Sequence, residues 1–367
     1  RLLLGKPTPC VGREHDLSVL ESTLGHCLSE PIARLVLIQA PPGYGKSRLR
    51  QEFVHRVARR GQPLQVLFGR GDLMGVGSPF RMIASALRRL CGLGEREDQA
   101  SQRQGLAGYI RRRLPEAEAT RVTAFLGELC GLSFPIEYCP LLSGAHLSPR
   151  TMNAQITRAF IDLLVAELAV APVLLLLEDI QWGDALSISL VQTALHELAN
   201  HPLLVLGFGR PEFEELFPSI CEDRSSFLLR LGKLGKRACL RLIKHALGEQ
   251  VEPELCQRLI EQADGSALYL EELIRATATL QSGTQQPATV LAMLQARLMR
   301  LPHPQRRLLR AASVFGQSFD LEALSELVGS QHSPETLDGW LTSLIEAELI
   351  EPAGDAVDGG HYRFRHA

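Results

Sequence analysis

Residues 40–47 read Ala-Pro-Pro-Gly-Tyr-Gly-Lys-Ser. They close an apolar run, Leu35–Gln39, and open a helix-forming run, Arg48–Phe53. A strand, a glycine-rich turn and a helix in that order form a phosphate cradle. Glycine tolerates the dihedrals that turn backbone N–H groups inward, and the helix N-terminus adds partial positive charge. Lys46 then supplies a point charge to the β- and γ-phosphates, and Ser47 offers its hydroxyl to Mg²⁺. Pro42, Gly43, Tyr44, Gly45, Lys46, Ser47 and Arg48 are the candidate nucleotide contacts. Ala40 stands where the full pattern has its first glycine, but only the later glycines must approach phosphate closely.

The acidic partner comes from a later strand. Val173–Leu177 ends in Glu178-Asp179, at the sheet edge where the phosphate loop also lies. One carboxylate, read as Glu178, holds Mg²⁺ through its water shell beside Ser47; Asp179 orients or deprotonates an attacking water. The usual order is Asp then Glu, so the division of roles stays open. Arg210, at the end of the next strand, is placed to distinguish a triphosphate from a diphosphate by a fixed cation. Trp182 reads as a core aromatic and not as a ligand.

The elements that must position these groups follow from periodicity. Five short apolar runs, Leu35–Gln39, Leu64–Phe68, Val173–Leu177, Leu203–Phe208 and Phe227–Leu231, are mostly continuous, as in strands buried on both faces of a parallel sheet. Helical stretches lie between them, so the class is α/β: a P-loop NTPase core with a five-stranded parallel sheet. A helical insertion is expected over about residues 70–171. After Gly232 the strand runs stop. Residues 1–28 are read as a linker with the segment Val11-Gly12-Arg13-Glu14, 29–232 as the core, 233–285 as a helical lid, and 286–367 as a winged-helix domain. Its helices are expected over 289–300, 304–314, 320–328 and 334–347, followed by a hairpin around a Gly/Asp-rich turn at 353–360.

Composition narrows the partners. The 367 residues suggest two to three domains at about 150 residues each. Net charge is −2, so no global basic field argues for nucleic acid or an anionic membrane. No apolar run reaches the length of a membrane span. The eight scattered cysteines, with no CxxC pair, read as reduced core residues and a cytoplasmic protein. The chain begins at Arg1 without Met and stops after a strand-like segment; it is expected to be a piece of a longer protein.

Several motifs together carry a resemblance. Leu177-Glu178-Asp179-Ile180-Gln181-Trp182-Gly183-Asp184 resembles the Walker B signature of STAND-type P-loop ATPases, E-D-x-H-W-A-D, with Gln181 for the family's His and Gly183 for its Ala. Val11-Gly12-Arg13-Glu14 is similar to the V-G-R-E element that lies against adenine. Gly207–Pro211 resembles the T-x-R-P element whose arginine senses the γ-phosphate, with its Thr absent, and Ala263–Glu272 resembles T-G-N-P-L-F-L-E-E, with Ala267 for a proline. The resemblance extends to AAA+, NB-ARC and Orc1-like modules of large bacterial signalling regulators. It implies ATP/ADP and Mg²⁺ as ligands, contacts from Val11, Gly12 and Arg13, and slow hydrolysis. By likeness to a Met-His-Asp element, His366 either latches the β-phosphate of ADP or is an ordinary histidine at a helix start.

The resemblance further implies partners outside these residues: output domains of the same protein and an inducer, either protein or small molecule. The opening Leu3–Glu14 resembles the junction that follows a serine/threonine protein kinase domain; no kinase motif occurs within the chain. An Orc1/Cdc6-like DNA-associated ATPase is the competing reading. It is disfavoured because residues 334–347 carry three acids and no Lys or Arg, and phosphate would repel that helix. A motor would need an arginine finger in trans, and no segment nominates one. ATP-dependent self-association stays open, as does a scaffold that no longer turns over.

Overall fold

The structure is a computed structural model that describes residues 2–72, 78–94, 97–223, 226–279, 290–329, 334–352 and 360–365. His366, the polar break at 282–287 and the turn residues 353–359 lie outside the described residues. The chain divides into two compact units, Arg13–Gly232 and Arg1–Gly12 with Lys233–Ala367.

Two short strands, β1 (Leu2–Leu3) and β2 (Lys6–Pro7), pair antiparallel at the start. The larger unit then begins with α1 (Glu14–Ser29), β3 (Arg34–Gln39), α2 (Lys46–Arg59) and β4 (Gln65–Arg70). Helices α3 (Arg81–Leu90), α4 (Gln99–Arg111), α5 (Glu116–Leu129), α6 (Leu141–His146) and α7 (Pro149–Leu168) form the insertion. β5 (Val173–Glu178), α8 (Ala185–Glu197), β6 (Leu203–Gly209), α9 (Phe213–Leu216), α10 (Pro218–Cys221) and β7 (Ser226–Arg230) complete it.

The five core strands lie in the order β4-β5-β6-β3-β7, and every neighbouring pair is parallel. β5 and β6 are buried along their whole length, which is why their sequences are apolar without alternation. Parallel pairing brings all five C-terminal ends to one edge. The register aligns Arg70 with Glu178, and Gln39 with both Gly209 and Arg230. The insertion shares one core with the sheet: Phe125 and Leu126 of α5 and Phe160, Leu163 and Leu164 of α7 are fully buried in the cluster that holds Leu67, Leu175 and Val205.

Two expectations change here. Residues 1–28 are not a linker: α1 buries Leu17, Leu20, Leu24 and Cys27, an amphipathic stripe that a linker would leave in water. β4 runs to Arg70, two residues beyond the apolar run, because in-register pairing with β5 carries Gly69 and Arg70 into the ladder. The added residue puts a guanidinium at the phosphate-loop edge.

In the second unit, α11 (Lys236–Leu247), α12 (Pro253–Ala263) and α13 (Ala267–Thr279) close over one cluster that includes Leu3 and Val11. α14 (Val290–Arg300), α15 (His303–Ser313), β8 (Ser318–Asp320), α16 (Leu321–Val328), α17 (Pro334–Glu346), β9 (Ile350–Pro352) and β10 (His361–Phe364) follow. The last three strands form an antiparallel sheet, β8-β10-β9, over a core of Leu308, Leu324, Leu341 and Leu344. None of the eight cysteines is in a disulfide. Among the described residues no helix is long and apolar enough to cross a membrane.

Candidate nucleotide site

The phosphate loop spans the end of β3 and the start of α2. Gly43 (φ +81°) and Gly45 (φ +93°) both take left-handed backbone, which a side chain would resist, and Gly45 caps α2. Among the described residues, nothing accepts a hydrogen bond from the N–H groups of Gly43, Tyr44 or Gly45. Three backbone donors turned out at a helix N-terminus match a phosphate group.

Lys46, the first residue of α2, donates from Nζ to Ala40 O at 2.5 Å and Pro41 O at 3.1 Å. Burial pushes its ammonium down from an ordinary 10.5 to about 8. The fields of Asp179, Glu212 and Glu178 resist that shift and that of Arg210 adds to it, so these groups converge on Lys46. Carbonyl oxygens solvate a buried ammonium only partly; an anion with several oxygens would serve it better. The donor set therefore fits a polyphosphate. Ser47 follows in α2, and Arg48 keeps its Nε buried with no hydrogen-bond partner among the described residues.

The carboxylates sit where β5 ends, and each is held by an arginine. Glu178 accepts from Arg50 Nε at 2.6 Å, with side-chain exposures of 9% and 12%. Arg50, one turn past Lys46 on α2, also lies 4.9 Å over the Phe68 ring, which Arg89 of α3 covers at 4.8 Å. Asp179 accepts at Oδ2 from Arg70 Nε (3.0 Å) and pairs with its terminal nitrogen (2.9 Å). Asp179 has φ +52° and ψ +45°, an uncommon conformation for a residue with a side chain. Gly71 makes it possible: a Cβ there would stand 2.3 Å from Asp179 O.

At the end of β6, the Arg210 guanidinium lies 4.9 Å over the Trp182 ring. Trp182 is half-buried and serves as that cation's platform, not as a core aromatic. The last acid of the motif has another task. Asp184 caps α8 through Ser187 N–H at 2.8 Å and also accepts from Phe80 N–H (2.8 Å) and Met82 N–H (3.3 Å). It thus anchors the first turn of the insertion to the turn after β5.

The V-G-R segment falls across the two units. Val11 is buried against α11–α13, and a Cβ on Gly12 (φ +68°) would meet Ala238 Cβ at 2.7 Å. Arg13, buried in the larger unit, donates to Tyr44 O at 2.7 Å and Gly232 O at 2.8 Å. It therefore fixes the phosphate loop from behind. The structure brings Lys46, Ser47, Glu178, Asp179 and Arg210 to one edge and adds Arg50 and Arg70, which lie in no motif, and Gln181, which the motif noted only as standing for the family's His. For Arg50 the usable signal was its place four residues after Lys46, on the same helix face.

A family model described as the AAA ATPase domain matches residues 9–206, more than half the chain. The chain belongs to the AAA ATPase domain family. This ATPase domain is 26% identical over 344 residues to an uncharacterised protein of Rhizobium meliloti (strain 1021), covering 87% of this chain and 31% of that protein. The chain thus spans about a third of the curated relative's length. Among solved structures it is similar to a Signal Transduction ATPase with Numerous Domains (STAND) protein with a tetratricopeptide repeat sensor from Pyrococcus horikoshii. That likeness has a TM-score of 0.52 at 14% identity, over 99% of this chain and 42% of that one. It is also similar to the Aeropyrum pernix ORC1 protein in complex with DNA, with a TM-score of 0.43 at 12% identity over 97% and 89% of the two chains. The family implies nucleotide binding.

Proposed function

We propose that this AAA ATPase domain is an ATP-binding regulatory module, a nucleotide-operated switch with slow hydrolysis, in a multidomain bacterial signal-transduction protein. The observation that carries the reading is the pairing of both edge carboxylates with arginines of the same chain. An acid that orients a metal or a water must have a free lone pair. Glu178 accepts from Arg50 at Oε1, which leaves Oε2 for a metal, but a cation drawn there competes with the Arg50 charge in a pair largely out of water. Arg70 likewise draws on the charge of Asp179 at Oδ2, in a more exposed pair that is held more weakly. Arginine charge that competes for both carboxylates makes a slow enzyme and a good timer.

Mg²⁺, when bound, neutralises phosphate charge; Ser47 and Glu178 are the residues that would hold it. Lys46 holds the phosphate side, Asp179 orients water, and Arg210, lifted from Trp182, reads the terminal phosphate. The competing motions of Arg210 and of a latch such as His366 would give the two nucleotide states different contacts. The fold shared with the STAND protein is in keeping with this reading. In it, α11–α13 form the lid and α14–α17 with the β8-β10-β9 sheet a winged helix. An inducer, a linked serine/threonine kinase or other output domain, and a cytoplasmic setting complete it. α17 carries acids and no cation, which disfavours DNA.

The test is steady-state ATP hydrolysis with Mg²⁺. Turnover should fall well below the roughly 1 per second at the low end for enzymes, and Arg70→Ala, which releases Asp179, should raise it several-fold. Turnover at tens per second in the unaltered chain would refute a slow switch.

A further inference from the structure

Gln181 lies in the turn after β5, is buried, and has a partner at each end of its amide. Its Nε2 donates to Asp179 Oδ1 at 3.4 Å, and its Oε1 accepts from Arg210 N–H at 3.0 Å. The partners themselves fix which end is which: a backbone N–H must meet the oxygen, and a carboxylate must meet the NH₂ group. Trp182, the next residue, carries the Arg210 side chain on its ring. Residues 181 and 182 therefore hold the backbone and the guanidinium of Arg210. Gln181 and Arg70 hold the two carboxylate oxygens of Asp179.

We infer that Gln181 is a positioning residue that ties Asp179 to Arg210, so that the carboxylate ending β5 and the cation ending β6 shift together. The inference rests on the switch reading above. β5 and β6 pair directly only as far as Leu177–Gly207, so beyond that point the ladder no longer links the two strands. The Gln181 amide bridges them where the ladder has stopped. The turn itself is stiff: Asp179 holds left-handed backbone over Gly71, and Trp182 N–H closes onto Asp179 O at 2.8 Å. A displacement of Arg210 is thus passed on to Asp179 and not absorbed in the turn.

Two substitutions separate the two halves of the bridge. Gln181→Glu keeps an oxygen for Arg210 N–H but sets a second carboxylate against Asp179. Gln181→Leu removes both links. Backbone hydrogen exchange, with no nucleotide present, should show the Arg210 amide exchanging at least about tenfold faster in Gln181→Leu and unchanged in Gln181→Glu. With nucleotide, Gln181→Glu should keep the ratio of ATP to ADP affinity while turnover falls about tenfold or more. Gln181→Leu should lose both, with melting temperature as the folding control for each. Unchanged Arg210 exchange in Gln181→Leu, or an unchanged affinity ratio there, would overturn the coupling. If the unaltered chain binds neither nucleotide, the switch reading falls and the coupling with it, and the exchange result alone reports whether Gln181 anchors Arg210.

Discussion

Lys46→Ala should weaken ATP and ADP binding by about 100-fold or more, with the melting temperature unchanged or slightly raised. Charge-assisted hydrogen bonds contribute roughly 1.5–3 kcal/mol each, and losing two of them corresponds to that factor or more. Stability is spared because the ammonium, whose hydrogen-bond partners among the described residues are the carbonyls of Ala40 and Pro41, is held in its charged form at a cost. The same fact gives a pH dependence. Its acidity in the folded chain is raised, with the pKa down from 10.5 to about 8. Between those values the folded chain has released a proton that the unfolded chain retains, so Lys46 makes stability rise with pH across that window. Nucleotide affinity moves the other way. It should be flat up to about pH 8 and then fall by up to tenfold per unit, a slope that Lys46→Ala lacks. Calorimetric titrations at pH 7, 8 and 9 read both effects, and unweakened binding by Lys46→Ala would remove the lysine from the site.

The largest stability effect is expected far from the phosphate loop, in the second unit. Arg275 of α13 is buried and pairs with Glu272 at 2.6 Å, Glu348 at 2.7 Å and Glu271 at 3.5 Å. Burial opposes its charge, but the fields of Glu272, Glu271 and Glu348 outweigh that and hold its pKa above the ordinary value. Glu348 in turn pairs with Arg365 at 2.8 Å, and Arg365 donates to Leu2 O. Helix α13, the turn after α17, the end of β10 and the first strand thus meet on one set of charges. Arg275→Ala removes the cation shared by Glu271, Glu272 and Glu348, of which Glu348 keeps Arg365, and breaking such a buried pair costs about 3–5 kcal/mol. Urea unfolding followed at Trp340, on α17 in the same unit, should show that loss, whereas Trp182 reports the larger unit. A loss below about 1 kcal/mol would show the cluster to be solvated and dispensable.

What the sequence made legible follows the reach of local physics. The five core strands could be read because a strand buried on both faces needs an unbroken apolar run, and β5 and β6 supply one. The phosphate loop and the acids after β5 could be read because the chemistry confines them to consecutive positions. Arg70 was missed because a strand that ends in Gly-Arg looks finished at Phe68; only its pairing with β5 extends it. Arg50 was not singled out because its partner, Glu178, stands 128 residues away in the chain. The Arg275–Glu348 pair, 73 residues apart, has no local signal at all. Gly12 shows the same limit differently: its segment was singled out for a ligand, and its lack of a side chain is used against Ala238.

The central claim is that this ATPase domain is operated by the nucleotide it holds. A pair of ligands bound equally well cannot move a two-state equilibrium, however tightly each binds. The measurement that tests this most directly is a parallel titration of the chain and of Arg210→Ala with ATP and with ADP, both in Mg²⁺. The account predicts affinities that differ by about fivefold or more in the unaltered chain, the lower range of allosteric coupling. It also predicts that Arg210→Ala alters the affinity for ATP alone. Equal affinities in the unaltered chain, unmoved by Arg210→Ala, would contradict it.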